Sequence, residues 1–407
     1  MKSAIVSVLL GAALFAQLAL AHPGDSAAEK AAENAKRNAY FKNNARSLSH
    51  CAEKLKARGN DEALQARRAA IVEDLRKKRS ISTEKPHLRI RNGKQVLATN
   101  HHSNRTDITP HIDPTLLFTG NGTCLLTPEV TEGPYWVKGE FVRKDVTDGQ
   151  EGVKLTLDIQ VIDTKTCEPV PETYIEIWAC NSTGVYSGVT SQGNGNPADT
   201  TNLNSTAFRG VQATGDLGAV SFDTAVPGHY IGRTNHIHVM SHINATLLPN
   251  NTIAGGAVTH VGQAFFDQDL LSLVERVEPY ASNTQAIMTN EQDGIFMQEA
   301  EGYDPMVEYI LLGDDVSQGL FGWITFGIDS TYSRNVSAAA SWTDKGGVAN
   351  PNPGFGGPGG PGGPGGFPSG FPGFPSGGFP SGFPGFPTGG FPRPTRSSAS
   401  GPRTTSS

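Results

Sequence analysis

The chain has 407 residues and a formal net charge of -6, and its 48 glycines and 27 prolines exceed average usage. Most of this excess lies between Gly346 and Pro394, so the composition describes one folded part followed by a Gly/Pro-rich tail. The charge provides no large basic field for a phosphate backbone, which excludes nucleic acid as a favoured partner.

The N-terminus has the pattern of a secretory signal peptide. Lys2 precedes an apolar run from Ala4 to Leu20, and the small residues Ala19 and Ala21 favour cleavage after Ala21. No other segment approaches the length of about 18 apolar residues that a membrane span needs. We therefore predict a signal peptide over 1–21, no membrane span, and a secreted, extracellular protein.

Cysteines and glycosylation sequons agree with an oxidising compartment. The four cysteines, an even number, allow two disulfides by any of three pairings, and they are Cys51, Cys124, Cys167 and Cys180. The N-x-S/T sequons begin at Asn104, Asn121, Asn181, Asn204, Asn244, Asn250 and Asn335. We expect a glycoprotein with disulfide bonds, whose pairing the sequence leaves open.

A short α-helical segment is predicted before the main domain. From Asp25 to Lys78 the chain is rich in Ala, Glu, Lys, Arg and Leu without proline, which predicts two helices separated near Gly59. Their apolar stripes are narrow, so this pair must pack on another part of the chain. The segment 22–79 ends in a dibasic pattern, which fits either a protease site that releases a propeptide or a solvated helix C-terminus. The polar stretch 80–110 is predicted to be a linker.

Residues 111–345 are predicted to form an all-β domain, a sandwich or a barrel. Apolar and polar residues alternate from Val153 to Val161, which is typical of a strand with one buried face. Further strands are predicted at Tyr174 to Trp178, Ala219 to Phe222, His236 to Ile243, Val258 to Phe266 and Trp323 to Ile328. Helical character is expected only in short insertions, such as Leu270 to Val277.

The tail, 346–407, repeats Gly-Gly-Pro and Phe-Pro units. Such units bury too little apolar surface to offset the entropy of ordering the chain, so we predict a disordered tail. Its expected role is that of a spacer or a cell-wall contact.

The segment from Pro227 to Val239 carries the strongest chemical signal. Residues two apart in a strand share a face, so His236 and His238 are predicted to point the same way and to meet one metal ion. His242 lies farther along the same face, too distant for a third ligand.

Two tyrosines accompany these histidines. Tyr230 lies in the turn before the histidine strand, and Tyr186 follows the strand that ends at Trp178. Phenolate is a hard oxygen ligand that suits a trivalent ion such as Fe(III). The same spacing also fits two buried core tyrosines, so the residues alone leave both interpretations open.

Three ordered segments resemble the intradiol ring-cleavage dioxygenases and match best the secreted fungal branch of that family. The segments are Leu126 to Trp136, Ile175 to Gly188 and Gly232 to His238. The resemblance covers about Cys124 to Ile328. It implies a β-sandwich with non-haem Fe(III) between its sheets.

The resemblance also implies a role for each ligand. Tyr186 and His236 would be the equatorial ligands, and Tyr230 and His238 the axial ones. Tyr230 would leave the metal when a catechol binds and would accept a substrate proton. Arg233 would stabilise negative charge that develops on the ring, unless it is an ordinary surface arginine.

Three further residues complete the implied site. Gln263 matches a family glutamine near the reacting oxygen, while Tyr135 and Trp136 would line the pocket mouth or serve as core aromatics. The prediction is a secreted Fe(III) dioxygenase that uses O2 to cleave a catechol between its hydroxyl-bearing carbons, giving a muconate-type product. The N-terminal helices suggest a homodimer by their position, without a matching motif.

Two rival functions are also considered. In the first, the protein binds a cell wall or the extracellular matrix through its tail, and the β-domain is a non-catalytic scaffold. Alternatively, a free N-terminal His22 would chelate copper, although Pro23-Gly24 after it fits a plain flexible end.

Overall fold

The computed structural model describes residues 48–82, 132–190, 193–194, 200–300 and 304–351, together with the single positions 31 and 35. The predictions for the signal peptide, His22, most of the linker and the tail lie outside these residues, as do Cys124 and the sequons at Asn104 and Asn121. Within the described ranges, no helix combines the length and the apolar character that crossing a membrane requires.

Two four-stranded sheets form a sandwich, which confirms the predicted fold class. The strands are β1 (Val137–Lys138), β2 (Lys154–Asp163), β3 (Tyr174–Trp178), β4 (Arg209–Ala213), β5 (Ala219–Ala225), β6 (His236–Leu247), β7 (Ile253–Phe265), β8 (Glu308–Leu311), β9 (Leu320–Ile328), β10 (Ala340–Thr343) and β11 (Gly346–Ala349). The first sheet has the order β5-β2-β9-β8 and the second the order β4-β3-β6-β7. A small third sheet joins β1, β10 and β11.

The described helices are short except for one. They are α1 (Ala52–Ala57), α2 (Asn60–Lys78), α3 (Gln268–Val274) and α4 (Gly294–Glu299). The left-handed Gly59, with φ 67°, separates α1 from α2, at the break that the sequence predicts. The other two helices lie in connections of the β-domain, and α3 overlaps the expected insertion at Leu270 to Val277.

Aliphatic side chains from alternate strand positions fill the space between the two large sheets. Leu157 and Ile159 of β2 belong to the same buried cluster as Ile177 of β3 and Val239 of β6. Each such side chain contributes about 1.5–3 kcal/mol on burial. This inner core fixes the register of both sheets, because a slip by one residue would turn the aliphatic set outward.

The outer face of the first sheet is closed by α2. Val72 of the helix packs in one cluster with Phe321 and Trp323 of β9. The carboxylate of Asp158, fully buried on β2, pairs with the guanidinium groups of Arg67 and Arg68. The prediction that β2 has one buried face is therefore wrong, because every residue of β2 after the first is buried.

The outer face of the second sheet carries a row of large polar side chains. Arg209 of β4 pairs with Trp178 of β3, which pairs with His238 of β6, which pairs in turn with Gln263 of β7. All four side chains are buried. Because paired residues on neighbouring strands share a face, the register alone places them side by side.

One disulfide joins the helical segment to the sandwich. Cys51 is bonded to Cys167 across a sequence separation of 116 residues. Cys180 has a free, buried thiol whose Sγ lies 3.1 Å from the carbonyl oxygen of Gly228. The Cys51–Cys167 bond belongs to one of the three pairings that the four cysteines allow, and Cys124 lies outside the described residues.

The sequence places the start of the tail too early. Strand β11 begins at Gly346 and pairs with β10 along its whole length. Beyond it, the Asn350 side chain donates to the carbonyl of Ala338 at 2.7 Å. The strands that the sequence analysis missed have two to five residues, too few for a period-two pattern to stand out.

Candidate metal centre

Two histidines at the start of β6 bring their imidazoles together. His236 and His238 lie on the outer face of the second sheet, and each side chain is 1% exposed. Their Nε2 atoms are 3.2 Å apart, and the ring planes are inclined by 73°. The predicted shared face of the pair is present.

Both candidate tyrosines reach the same point. The hydroxyl of Tyr186 lies 3.4 Å from Nε2 of His236, and the hydroxyl of Tyr230 lies 3.5 Å from the same atom. The two phenol side chains are also buried. The structure therefore brings together two oxygens and two nitrogens from three separate segments of the chain.

A backbone contact sets the tautomer of His236. Its Nδ1 lies 2.6 Å from the carbonyl oxygen of Thr234, and a carbonyl can only accept. The ring proton therefore resides on Nδ1, and Nε2 presents a lone pair to the other three donor atoms. This arrangement is typical of metal-binding histidines, whose second nitrogen is held by a carbonyl or carboxylate.

The donor set fits a metal ion. Ligand atoms bonded to a metal at about 2.0–2.2 Å stand about 3 Å apart from their neighbours in the coordination shell, close to the separations seen here. Burial raises the pKa of the Tyr186 phenol, and burial raises that of Tyr230 against the opposing charge of Arg233. Both phenols are thus neutral without a cation, and a bound ion of high charge reverses this preference as it does for coordinating thiols.

Two glycines allow the loop before Tyr186 to approach the turn before Tyr230. A Cβ at Gly184, where φ is +79°, would collide with the carbonyl of His229. A Cβ at Gly228 would collide with the carbonyl of Ser182. Close backbone contact of this kind needs glycine on both sides, which explains how the two phenols meet.

A buried polar network braces the turn that carries Tyr230. His229 places Nδ1 2.9 Å from the Glu275 carboxylate and Nε2 3.0 Å from the carbonyl of Gln285. The side-chain amide of Asn235 donates to the same carboxylate at 3.1 Å. Burial lowers the pKa of His229, but the bonds to Glu275 and Gln285 outweigh it and the pKa is raised overall.

Aromatic side chains support the histidine pair from behind. The indole of Trp178 stacks on the His238 ring at 4.6 Å with an interplanar angle of 6°. The indole of Trp136 lies one layer farther away, where its Nε1 donates to Glu176 at 2.7 Å. Glu176 also contacts Nε2 of His242 at 2.7 Å, which removes His242 from the donor set.

Tyr135 lies within the centre. Its ring stacks on Tyr186 at 4.6 Å and meets the edge of Tyr230 at 5.6 Å. Of the two residues predicted to line the pocket mouth, it alone contacts the candidate ligands among the described ring pairs. Trp136 has a supporting position.

Arg233 and Gln263 lie beside the four candidate metal-ligand atoms and are hydrogen-bonded to each other. Nη2 of Arg233 donates to Oε1 of Gln263 at 2.6 Å, and its Nε donates to Asp293 at 2.8 Å. Burial disfavours the charged guanidinium, but Asp293 outweighs it and raises the pKa of Arg233. Nη1 of Arg233 and Nε2 of Gln263 have no hydrogen-bond partner among the described residues. These two buried donors are available to an anionic ligand.

Asp293 is a site residue that sequence reasoning missed. One carboxylate oxygen accepts from the backbone of Ile295 and Phe296 and caps α4, while the other accepts from Arg233 and from the backbone of Thr234. The Asp-Gly pair before a short apolar run is a helix-start signal. Nothing in the local pattern connects it to Arg233, which lies 60 residues away.

The implied position between the two large sheets is wrong. The inward positions of β6 are occupied by Ile237 and Val239 of the aliphatic core. The histidines alternate with them and point outward, toward a second cluster that contains Val137 of β1 and Ala340 of β10. The candidate centre thus lies between the second sheet and a layer formed by loops and the small third sheet.

Parts of the chain are similar to known proteins. A family model described as "Dioxygenase" matches residues 131–251. A 66-residue segment is 41% identical to catechol 1,2-dioxygenase of Pseudomonas sp. (strain EST1001), covering 15% of this chain and 22% of that enzyme. The chain therefore spans about a fifth of the length of that curated relative.

Solved structures also match. An intradiol ring-cleavage dioxygenase from Tetranychus urticae is 30% identical, with 52% of this chain and 98% of that one covered and a TM-score of 0.43. The dioxygenase domain of a carbohydrate-binding fusion from Streptomyces sp. SirexAA-E is 26% identical, with coverages of 50% and 98% and a TM-score of 0.32. By its sequence, the chain belongs to the intradiol ring-cleavage dioxygenase family.

Proposed function

We propose that the protein is a secreted, Fe(III)-dependent dioxygenase that cleaves a catechol-type ring between its two hydroxyl-bearing carbons with O2. The product would be a muconate-type dicarboxylate. Tyr186, Tyr230, His236 and His238 would hold the ferric ion. The proposal that the protein acts outside the cell rests on the signal-peptide pattern and the sequons.

The convergence of four donor atoms is the observation that carries this proposal. Buried tyrosines of a structural core turn their hydroxyls toward hydrogen-bond partners, usually the backbone, as Tyr280 does toward Val226 and Val153. The hydroxyls of Tyr186 and Tyr230 instead converge on one atom, Nε2 of His236, which also lies 3.2 Å from Nε2 of His238. Two phenols are the ligands expected for a trivalent ion rather than for zinc.

The protein side of the reaction follows from the same contacts. A bound ferric ion would supply a Lewis acid that draws electron density from both catechol oxygens. The Tyr230 oxygen, a phenolate while it holds the ion, would accept a proton from a catechol that binds in its place, because burial raises the pKa of this phenol. Arg233, held by Asp293, would keep a fixed positive charge beside the ring, and the free donors of Arg233 and Gln263 would bind developing anionic oxygen.

Visible absorption of the purified protein tests the ligand set. Phenolate bound to Fe(III) gives a charge-transfer colour, so iron-loaded protein should be reddish and should change its spectrum when catechol is added without oxygen. The variant Tyr186→Phe should lose most of this band. Tyr280→Phe is the matched control, because it also removes a buried hydroxyl but lies outside the donor set. Colourless wild-type protein, or an unchanged band in Tyr186→Phe, would disprove the assignment.

Oxygen uptake tests the reaction and its substrate. Catechol, protocatechuate, hydroxyquinol and caffeate would be compared, with identification of the ring-opened product for each active compound. Stoichiometric uptake with a muconate-type product is expected from at least one of them. A product opened beside, rather than between, the hydroxyl-bearing carbons would contradict the proposal.

The rival scaffold function makes a different prediction. If the tail attaches the protein to a cell wall and the β-domain is inert, a chain ending at Pro351 would lose wall binding and no variant would consume oxygen. Our proposal expects unchanged oxygen uptake from that shortened chain. The four-donor set favours catalysis, because a scaffold has no need to bury it.

A further inference from the structure

We propose that Arg209 is a positioning residue that sets the donor strength of the Tyr186 phenolate, an inference that rests on the proposed function. Arg209 is fully buried on β4 and lies outside the four donors. Its guanidinium carbon is 5.8 Å from the centroid of the Tyr186 ring, over the ring. A cation in this position is attracted by the π-face of the ring and acts on its electrons.

The hydrogen bonds of Arg209 hold two residues next to Tyr186, one adjacent in the chain and one stacked on its ring. Its Nε donates to the carbonyl of Ser187 at 2.9 Å, the residue directly after the ligand. Its Nη2 donates to the carbonyl of Tyr135 at 2.6 Å, and the ring of Tyr135 stacks on Tyr186. One planar group therefore holds the segment that carries the phenol and the aromatic ring that packs against it.

The strand register explains why the Arg209 side chain lies on the outer face of the second sheet. Arg209 begins β4 opposite Trp178, whose other neighbour is His238. The residue before it, Phe208, has a left-handed backbone with φ of 59° and turns its side chain into the inner core. This conformation is costly for a residue with a side chain, and it sends the next side chain to the outer face.

The charge of Arg209 is only partly neutralised. Its nearest carboxylate is Glu140, with Nη1 and Oε1 3.5 Å apart and both side chains buried. Burial raises the pKa of Glu140 to about 8 in spite of the opposing effect of Arg209. A carboxyl that is largely protonated at neutral pH leaves the guanidinium charge to act on the Tyr186 ring.

The direction of the effect follows from electrostatics. A positive charge near the phenolate stabilises its electrons, so a charge transfer from phenolate to Fe(III) requires more energy. Removing the charge should move the visible band to longer wavelength by at most about 20 nm, the Coulomb effect of one charge at 5.8 Å on the phenolate alone at an effective dielectric constant of about 20. It should also make the Fe(III)/Fe(II) potential more negative.

The experiment uses full-length, iron-loaded protein and three variants. Arg209→Met removes the charge, and Arg209→Lys keeps a charge while losing the planar fork. Arg143→Met is the matched control, because Arg143 donates to the carbonyl of Arg209 at 3.0 Å and thus supports the same strand without contacting Tyr186. Band position and reduction potential are measured for each variant, with circular dichroism to check folding.

A red shift and a lower potential in Arg209→Met, a smaller change in Arg209→Lys and none in Arg143→Met support the inference. An unchanged band in folded Arg209→Met, or equal shifts in Arg209→Met and Arg143→Met, overturns it. If Arg209→Met does not fold, Glu140→Gln is added to it so that no carboxylate remains buried without its partner, and the same criteria apply. Absence of any band in the wild type instead defeats the proposed function.

Discussion

The outer faces of the two sandwich sheets bury polar groups in opposite ways. On the first sheet, the Asp158 carboxylate is matched by two guanidinium groups from α2, and apolar side chains close over them. On the second sheet, His236, His238 and two phenols turn their polar atoms toward one another. Charge pairing accounts for the first arrangement as an attachment between helix and sheet. The second arrangement gathers neutral polar groups around one point, where the proposed ferric ion would bind.

The largest expected effect is the loss of activity and bound iron when a candidate ligand on the outer face of the second sheet is replaced. His236→Gln should lower ring-cleavage activity by more than about a hundredfold and reduce bound iron, because it removes the donor at the middle of the set. Rates and metal content are measured together. His242→Gln on the same strand is the control, since His242 is bonded to Glu176 and should keep its iron. Full iron content in His236→Gln would show that His236 does not hold the metal and would contradict the contrast between the two faces.

The next effect concerns stability on the first face. Asp158→Ala leaves the buried Arg68 and the partly buried Arg67 without their carboxylate and should lower the free energy of unfolding by about 3–5 kcal/mol. Urea unfolding gives this value, and the visible spectrum of the remaining folded protein should be unchanged. A spectral shift in this variant would show that the two faces are coupled. Replacing both arginines by Met as well should recover part of the loss.

An intermediate effect is expected between the sheets. His260 is fully buried and stacks on Phe326, and burial, with Arg334 adding to it, lowers the pKa of His260 to about 3. The unfolded chain binds this proton near pH 6.5, so the unfolded state gains stability relative to the native state as the pH falls from 6.5 toward 3. His260→Leu removes this titrating group. The free energy of unfolding of the variant, measured relative to wild type, should therefore be about 2–3 kcal/mol higher at pH 4.5 than at pH 7.5.

Unfolding curves at both pH values measure this difference. Asn290→Leu, which changes a buried polar residue that does not titrate, is the control and should show the same effect at both pH values. A pH-independent effect of His260→Leu would mean that the imidazole is not held neutral in the core.

The smallest effect is expected on the solvent side of α2. Glu73 pairs with Lys77 one helical turn away, and both side chains are more than half exposed, at 59% and 64%. Glu73→Ala should change the free energy of unfolding by less than about 0.5 kcal/mol. A larger loss in urea unfolding would indicate that α2 is held by its exposed side as well as by Asp158.

Much of the fold was predictable because apolar and polar residues alternate with period two along its strands. The runs at Val153 to Val161 and His236 to Ile243 correspond to β2 and β6, and the shared face of the histidines followed from the same period. The covering of β2 by α2 was not predictable, since a narrow apolar stripe does not state which surface it meets. The depth of the centre was misjudged because it was taken from the family resemblance, and alternation alone does not show which face of a strand is inside.

The supporting residues of the candidate centre lay beyond sequence reasoning for another reason. Asp293 acts on Arg233, and Arg209 acts on Tyr186, across distances along the chain that leave no local periodicity. Tyr186 and Tyr230 themselves were selected by resemblance, because their spacing fits core tyrosines equally well. Their hydroxyl positions, rather than their burial, favour the metal-ligand interpretation that we propose.

The bond between Cys51 and Cys167 changes what a cut after Arg79 would mean. Such a cut would yield a nicked, two-chain protein, because the helical segment stays covalently attached to the sandwich. On a denaturing gel the nicked form would run as one species without reductant and as two with it. The covering of the first sheet therefore depends on thiol chemistry as much as on proteolysis, and a reducing environment would be needed before the segment could depart.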